Sequence, residues 1–445
     1  MTSYSAKQLP ADLPGSGWYQ ILPAPGPPRV LDRDIQADWI IVGAGFAGLS
    51  AARRLDQLFE GQTIIVLDAQ RIAWGAAGRN SGFMIDLPHD LQSDDYASAI
   101  EEDKKQIRMN RAAITFAEQT ALEYGLTSHW SAKGKINAAT NGAGMDALRS
   151  YASHLSSLDE GHEFLDANEM QSITGIDYYA GGLHTPGCVQ IQPAAYIRGL
   201  AHGLGQSQRN NIVIYENTAV NALQSGDQTA VVTNNGSVSG GKIILTVNGH
   251  LASFGIYQRQ LMHIFTYASM TRQLTESEIN DLGGEPEWGV TPAHPMGSTI
   301  RKTRDNRIVV RNTFTYNPDL QTSESQVEKL GRKHDRSFSN RFPMLDRVSM
   351  EYRWGGHLCL SRNSTPVFGE LEKNLFVSCC QNGLGTVKGT LGGMLIAELA
   401  GGHQNPMINE MLDYDAPVKL PPEPLMSIGA RSHLWWTQSR AGKDL

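Results

Sequence analysis

The sequence DWIIVGAGFAG, residues 38–48, decides the fold when it is read together with TIIVLD, residues 63–68. Each stretch contains a short apolar run, which is typical of a buried strand in a parallel sheet. Between them, leucine and alanine residues at helical spacing predict a helix over residues 47–59. A strand, a glycine turn, a helix and a second strand form a βαβ unit, so the start of the chain predicts a parallel sheet.

The turn of this unit matches the pattern G-x-G-x-x-G, and its three glycines have different physical roles. Gly43 permits the tight turn, Gly45 lets the backbone approach a pyrophosphate, and Gly48 lets helix and strand pack closely. Asp68 ends the second strand, where its carboxylate can accept hydrogen bonds from ribose hydroxyls. The pattern alone is weak, but in this context it predicts a dinucleotide site rather than an empty glycine-rich turn.

The fingerprint does not choose between NAD and FAD, whereas the next segment does. That segment, RIAWGAAGRNSG at residues 71–82, is rich in small residues that let the backbone lie against a flat ligand. It follows the ribose-binding strand, so it would extend towards the far end of a dinucleotide. A plain surface loop is the alternative interpretation. We expect FAD, and an NAD enzyme is the less favoured alternative.

The segment at residues 71–82 also resembles the GxSGRNGG loop of the D-amino-acid-oxidase-like FAD-dependent oxidoreductases, in which this loop runs beside the flavin ring. The family includes glycine oxidase, sarcosine oxidase and gamma-glutamylputrescine oxidase, and the chain resembles gamma-glutamylputrescine oxidase-like members most. Other family-like segments follow in the family's order along nearly the whole chain: SGWY at 16–19, QPAAY at 192–196, TVNG at 246–249, YRWGG at 352–356 and NGLGTVKG at 382–389.

The fingerprint and the resemblance together predict which residues contact FAD. They are Gly43, Gly45, Phe46, Ala47, Gly48, Asp68, Ala69, Gly78, Arg79, Asn80, Ser81, Gly82, Val220, Asn248, Gly383, Leu384, Gly385, Thr386 and Val387. A helix that begins at Leu384–Val387 would direct its positive dipole end at the negative charge of reduced flavin, although a plain glycine-rich helix start is the alternative. Some relatives attach FAD to a cysteine near the Trp-Gly-Gly segment. The matching position here is Gly356, so we expect non-covalent FAD.

The segment WGGHLCLSRNSTPVFG, residues 354–369, bears on the substrate. In glycine-oxidase-like relatives the residue four positions after the tryptophan is an arginine that binds the substrate carboxylate, and here that position is Leu358. An apolar side chain does not pair with a carboxylate, which argues against a simple α-amino acid. The segment resembles the gamma-glutamylputrescine oxidase-like pattern more closely, but Cys359 and Ser361 depart from it. We therefore expect a small primary or secondary amine, with N-acylated diamines among the candidates.

The resemblance implies oxidation of a C–N bond by hydride transfer to flavin, hydrolysis of the imine and, with dioxygen as acceptor, release of hydrogen peroxide. His357 and Lys388 are the candidate catalytic residues, with a packed histidine and a solvated lysine as the alternatives. His263, Tyr267 and Arg301 lie in the presumed substrate domain, and the sequence does not rank them. We expect no metal site. Two other functions stay open: a dehydrogenase that passes electrons to a quinone or a carrier protein, and a non-catalytic FAD-binding subunit.

The 445 residues, 40% hydrophobic and 19% charged, fit a globular protein of two domains. We predict an α/β fold, α+β in part, in which a Rossmann-like FAD-binding domain (1–95, 185–255 and 350–445) is interleaved with a mixed-sheet substrate domain (96–184 and 256–349). The formal net charge of -7 gives no case for nucleic-acid binding. Four cysteines indicate no disulfide framework, and the lack of a signal peptide or a bilayer-length apolar run predicts a cytoplasmic protein.

Outside these motifs, the residue pattern predicts a few further elements. We expect an irregular lead-in over residues 1–37, a long helix over 95–125, and an antiparallel sheet within 256–316. A polar helical segment is predicted over 317–348, and a final helix over 386–399.

Overall fold

A computed structural model describes residues 2–88, 100–207 and 209–445 of the chain. Within these ranges the strands are β1 (Thr2–Ser5), β2 (Ile35–Val42), β3 (Ile64–Leu67), β4 (Phe83–Met84), β5 (Trp130–Ser131), β6 (Lys135–Ala139), β7 (Glu163–Leu165), β8 (Gly181–Thr185), β9 (Val189–Ile191), β10 (Ile212–Tyr215), β11 (Ala222–Ser225), β12 (Thr229–Val232), β13 (Ser237–Leu245), β14 (Met262–Thr271), β15 (Trp288–Pro292), β16 (Thr299–Lys302), β17 (Ile308–Tyr316), β18 (Met350–Leu360), β19 (Val367–Glu372) and β20 (Leu375–Cys379). The helices are α1 (Gly17–Gln20), α2 (Phe46–Leu58), α3 (Ile100–Glu123), α4 (Gly142–Ser157), α5 (Ala167–Thr174), α6 (Pro193–Gly205), α7 (Glu276–Leu282), α8 (Glu324–Arg341), α9 (Gly385–Ala400), α10 (Pro406–Leu412) and α11 (Leu425–Ser439).

The first sheet contains the βαβ unit predicted from residues 38–68, which is formed by β2, α2 and β3. Nine strands of the described residues belong to this sheet, in the order β1-β11-β12-β13-β2-β3-β10, with β20 and β19 joined beside β13. The strands β20, β13, β2, β3 and β10 pair parallel. Ile40, Ile41 and Val66 are fully buried because helices cover the sheet, which explains why β2 and β3 are unbroken apolar runs.

The second sheet has eight strands among the described residues, in the order β18-β14-β17-β16-β15-β6-β8-β7. Its pairs are antiparallel apart from β15 and β6, which are parallel, so the sheet is mixed. The antiparallel pairing predicted within residues 256–316 is confirmed by β14, β15, β16 and β17. The two sheets together confirm the predicted fold class, an α/β architecture that is α+β in part.

The two sheets are built from interleaved stretches of chain. Residues 135–185 and 262–360 supply the second sheet, and the first sheet is formed from the chain before, between and after them. The strand β18 falls within a segment assigned above to the FAD-binding domain, yet it pairs with β14 in the second sheet. The domain boundaries remain a prediction, and the boundary at residue 95 lies outside the described residues.

Two of the predicted helices are present within one residue of their expected ends. The predictions over 47–59 and 386–399 correspond to α2 and α9, and α8 occupies the centre of the segment 317–348. The helix predicted over 95–125 is α3, which is described from Ile100. No described helix is both long enough and apolar enough to cross a bilayer.

The lead-in over residues 1–37 is not irregular throughout, so that prediction is wrong in part. The strand β1 pairs antiparallel with β11, and α1 buries Trp18 to 1% exposure. Elements of four residues carry no detectable periodicity, because their stability comes from the tertiary contacts they make. Trp18 packs in the same core as β2 and α2.

Candidate active site

A cavity of about 510 Å³ lies between the two sheets. One side, here called the first-sheet wall, consists of the fingerprint turn, the end of β3, residues 71–82 and the start of α9. The opposite side, the second-sheet wall, consists of residues on β14, β15, β16, β17 and β18. A cavity enclosed by two sheets, with polar groups at a few positions, is the usual setting of a small-molecule site.

The fingerprint glycines line or support the cavity in the ways their spacing predicts. Gly43 has a φ of +102°, a conformation that L side chains rarely adopt, and it forms the tight turn. A Cβ on Gly48 would overlap the carbonyl oxygen of Gly43, so only glycine lets α2 pack this closely on β2. Gly45 is the N-cap of α2 and has no side-chain hydrogen bond. The free N–H groups of this helix end, together with its dipole, form a site for a phosphate group.

Asp68 follows β3 and holds its carboxylate at the edge of the cavity. Its oxygens accept hydrogen bonds from the N–H groups of Ala44, at 2.8 Å, and Gln70, at 2.9 Å. Burial raises the pKa of Asp68 to about 6, and the two N–H donors oppose that rise. Further hydrogen-bond donors, such as ribose hydroxyls, would stabilise the charged form of this carboxylate.

Residues 71–82, here called the flavin loop, are held by contacts from distant parts of the chain. The indole N–H of Trp18 donates to Asn80 O at 3.0 Å, and that of Trp354 donates to Arg79 O at 2.9 Å. The Arg79 guanidinium donates to the carbonyls of Trp74, Leu13, Pro14 and Gly355. The loop backbone is therefore fixed in position on the cavity wall before any ligand binds.

The start of α9 closes the first-sheet wall at its other end. Leu384 is the N-cap of this helix and makes no side-chain cap, so the first N–H groups of the helix stay available. The Thr386 hydroxyl donates to Phe83 O at 2.6 Å and ties the helix start to the flavin loop end. The positive end of a 16-residue helix therefore lies at the cavity.

The second-sheet wall presents one strongly charged group. Arg311 lies opposite Thr299 in the β16–β17 pairing, and its Nη2 donates to the Thr299 hydroxyl at 2.7 Å. Phe314 flanks the guanidinium, with 5.4 Å between the guanidinium carbon and the ring centroid. Thr266 and Leu358 complete this wall on β14 and β18.

Three histidines pack together beside the second-sheet wall. His357 Nε2 lies 3.3 Å from His263 Nδ1, and the ring centroid of His250 is 6.4 Å from that of His357. Burial, together with the neighbouring rings, lowers the pKa of His357 well below its usual value and that of His263 to about 4. These imidazoles are neutral at pH 7, so they act there as hydrogen-bonding groups and not as cations. The described residues contain no cluster of His, Cys, Asp and Glu that could hold a metal ion.

Residues 38–399 match the family model of the FAD dependent oxidoreductases, DAO. The chain belongs to this family. Among curated DAO relatives, the probable oxidoreductase OrdL of Haemophilus influenzae is 26% identical over 373 residues, which cover 81% of this chain and 82% of the relative. Gamma-glutamylputrescine oxidoreductase of Escherichia coli is 26% identical over 387 residues, covering 84% and 85%.

Solved structures show the same fold as this DAO family member. Glycine oxidase from Geobacillus kaustophilus aligns with a TM-score of 0.68 at 18% identity, covering 84% of this chain and 96% of the glycine oxidase chain. L-amino acid deaminase from Proteus vulgaris aligns with a TM-score of 0.68 at 14% identity, covering 88% and 100%. The family identifies FAD as the cofactor.

The cavity wall fits FAD at two independent points. The uncapped start of α2 would hold the pyrophosphate through its free N–H groups, and the uncapped start of α9 would hold the flavin in the same way. Most of the predicted contact residues line the cavity, as does His357. They are Gly43, Gly45, Phe46, Ala47, Asp68, Ala69, Arg79, Asn80, Ser81, Gly82, Val220, Asn248, Gly383, Leu384, Gly385 and Thr386.

Four predicted residues do not line the cavity. Gly48 and Gly78 are packing positions, since a Cβ on Gly78 would overlap the carbonyl of Ala73. Val387 is fully buried in the core beneath α9. Lys388 is half-buried on the same helix, away from the cavity lining. The guanidinium of Arg79 is occupied by backbone carbonyls, which leaves its backbone as the part available to FAD.

Arg311 is the main residue of this cavity that sequence reasoning missed. It lies in the run Arg307-Ile308-Val309-Val310-Arg311, within the antiparallel sheet predicted over residues 256–316, and the structure places it inside β17. An arginine at an inward position of a strand is a usable signal, because burying an unpaired cation is costly. His250 and Thr266 were missed too, and neither belongs to a recognisable motif.

Proposed function

We propose that this protein is an FAD-dependent oxidase of a small primary or secondary amine. The observation that carries the proposal is the single cavity that joins the dinucleotide fingerprint to the second-sheet wall. Gamma-glutamylputrescine oxidoreductase, the relative from Escherichia coli, supports an amine substrate. FAD held in this cavity would supply the hydride acceptor for oxidation of the carbon next to the amine nitrogen, with water to hydrolyse the imine product and dioxygen as the final two-electron acceptor that gives hydrogen peroxide.

The chain's own residues would prepare the amine for this step. Leu358, Phe314 and Pro292 give the second-sheet wall an apolar surface that excludes water. Removal from water favours the neutral form of an amine, which is the form that can lose a hydride. His357 stays neutral and can accept or donate one hydrogen bond, so we assign it a positioning role rather than the role of a base.

The experiment is an anaerobic absorbance titration of the holoprotein with a panel of amines and amino acids, followed by admission of air. Bleaching of the flavin band by an amine, with fast recovery and stoichiometric peroxide, is the expected result. If D-amino acids or sarcosine bleach the flavin much better than amines, the amine assignment is wrong.

Non-covalent FAD is a separate part of the proposal. The neighbouring Cys380 and burial raise the pKa of the Cys359 thiol well above its usual value, so this thiol is not a nucleophile at neutral pH. Acid precipitation should therefore give a colourless pellet and a yellow supernatant. A yellow pellet would contradict this assignment.

A dehydrogenase is the second candidate function, and one surface feature favours it. The helix α11 buries none of its residues, and Trp435 is 72% exposed beside Trp436. Exposed aromatic residues of this kind suit contact with an electron-accepting partner. Slow flavin recovery in air, low peroxide yield and fast reduction of a quinone analogue would identify this function in place of the oxidase.

A further inference from the structure

The helix α11 lies on the surface of the protein with one apolar face turned outward. The side chains of Leu425, Ile428, Trp435 and Trp436 are between 52% and 72% exposed. They follow the spacing i, i+3, i+10 and i+11, which puts them on one side of an α-helix, with the small Ser432 between them. Removing such a stripe from water is favourable, so this face marks a contact site.

The inner face of α11 is held by hydrogen bonds to a single strand. The Gln438 side-chain amide donates to Phe314 O and accepts from the Phe314 N–H, both at 3.1 Å. Near the other end of the helix, the Tyr316 hydroxyl donates to the Glu423 carboxylate at 2.8 Å. Phe314 and Tyr316 both belong to β17, so the helix is fixed along this strand while its apolar face stays in solvent.

The charge around this face has the opposite sign from the charge of the whole chain. Residues 416–443 contain four basic side chains and one acidic side chain, whereas the chain has a formal net charge of -7. The acidic one is Glu423, which is already engaged by β17. Arg431 is exposed on the helix, and the Arg440 guanidinium carbon lies 4.6 Å from the centroid of the Trp436 ring. The face therefore combines an apolar stripe with positive charge.

Anionic lipid headgroups at a bilayer surface match this combination. The tryptophan ring is amphipathic, so it is stable at the boundary between headgroups and hydrocarbon. A helix with an apolar face and basic residues lies flat in that boundary. A second copy of the chain is a poor match, because α11 carries Arg431 and no acidic residue, and pairing two such helices would bring like charges together.

We propose that α11 is a membrane-surface helix, which docks the protein on a bilayer that contains anionic lipid. The proposal goes beyond the proposed function, and it holds for an oxidase and for a dehydrogenase, because it concerns where the protein docks and not what oxidises the flavin. Since α11 is bound to β17, docking brings the side of the molecule that carries Phe314, a residue of the cavity wall, towards the lipid.

The test is co-sedimentation of the FAD-loaded protein with vesicles of phosphatidylcholine, either alone or mixed with phosphatidylglycerol. Wild type should bind the mixed vesicles more tightly, and lipid with brominated acyl chains should quench its tryptophan fluorescence. The double variant Trp435→Ala/Trp436→Ala should bind both kinds of vesicle about tenfold more weakly, or worse, and should lose the quenching. The double variant Arg431→Gln/Arg440→Gln should lose about fivefold per charge, on the mixed vesicles only.

Two leucines provide a matched control. Leu425 on α11 and Leu122 on α3 are 62% and 66% exposed. Leu425→Ala should weaken vesicle binding by roughly threefold or more, whereas Leu122→Ala should bind as wild type does. All these variants should keep the flavin absorbance and the Tm of the holoprotein, because the altered side chains are exposed.

Several results would overturn the proposal. They are a wild type that does not sediment with mixed vesicles, equal binding by wild type and the double tryptophan variant, and binding that does not respond to phosphatidylglycerol. A wild type that is a dimer in sedimentation velocity, with a monomeric double tryptophan variant, would assign the face to a second copy of the chain instead. Vesicle binding is measured without substrate, so it decides the role of α11 even if no amine reduces the flavin.

Discussion

The flavin loop and the second-sheet wall use their arginines in opposite ways. Around the flavin loop, the Arg79 guanidinium and Arg301 Nη1 donate to backbone carbonyls, which hold the loop in position. Across the cavity, Arg311 gives one donor to a hydroxyl and keeps the rest. The comparison teaches that the arginines beside the flavin loop serve the protein's own backbone, whereas most donors of Arg311 face the cavity.

The two walls also differ in the sequence separation of the residues that form them. The fingerprint turn and Asp68 belong to one βαβ unit of about 30 residues, as such units usually do. The second-sheet wall unites β14, β16, β17 and β18, and its register depends on strand pairing between them. A change in the first wall should therefore affect cofactor binding and folding, and a change in the second should affect the substrate.

The largest effect is expected at the fingerprint. Gly48→Ala places a Cβ against the Gly43 carbonyl and should lower the free energy of unfolding by about 3 kcal/mol with loss of bound FAD. Gly45→Ala meets only the Ala77 side chain, at 3.6 Å, so it should keep the fold and weaken FAD binding. Thermal denaturation and flavin content distinguish the two, and Gly429→Ala, which meets nothing within 4 Å, is the control. Equal stability of the two fingerprint variants would contradict the packing role of Gly48.

The next effect tests the arginine comparison directly, through stability. Arg301→Met removes the donor to Ser81 O, Gly82 O and Ile191 O, of which Gly82 O keeps the Ile191 N–H, and should lower the Tm of the holoprotein by roughly 5 °C. Arg311→Met removes a cation that lacks an ionic partner, so it should leave the Tm unchanged or raise it. Flavin fluorescence during heating measures both. A similar loss of Tm in the two variants would mean that Arg311 is a structural residue like Arg301.

The smallest effect is expected in the pH dependence of FAD binding. Ribose hydroxyls donate to the charged form of Asp68, whose pKa in the free protein is about 6. Bound FAD should lower the pKa of Asp68. The affinity for FAD should therefore be highest above pH 6 and should fall as the pH drops below 6, by up to tenfold per pH unit. Asp68→Asn should weaken binding and flatten this profile, whereas the exposed Asp32→Asn should change neither. A slope that survives in Asp68→Asn would assign the titration to another group.

Packing explains why parts of the site escaped sequence reasoning. Trp18 and Gln192 belong to family-like segments, but each makes its contact with a residue far away in the sequence. The Trp18 indole N–H donates to Asn80 O, and the Gln192 side-chain amide donates to Trp18 O at 2.6 Å. Phe314 is three residues from Arg311, so simple strand alternation would put the two on opposite faces. The positive φ of Thr313, +61°, marks the bulge that returns Phe314 to the cavity.

What the sequence determined by itself is the βαβ unit, the dinucleotide fingerprint and the family. These depend on local spacing, because a glycine turn, an uncapped helix start and a carboxylate at a strand end are fixed within one short segment. What only the tertiary structure decided is the second-sheet wall. Arg311 reads as a polar residue of an ordinary strand until β14 and β16 pair on either side of it at the cavity, since an unpaired charge becomes informative only when partial burial makes it costly.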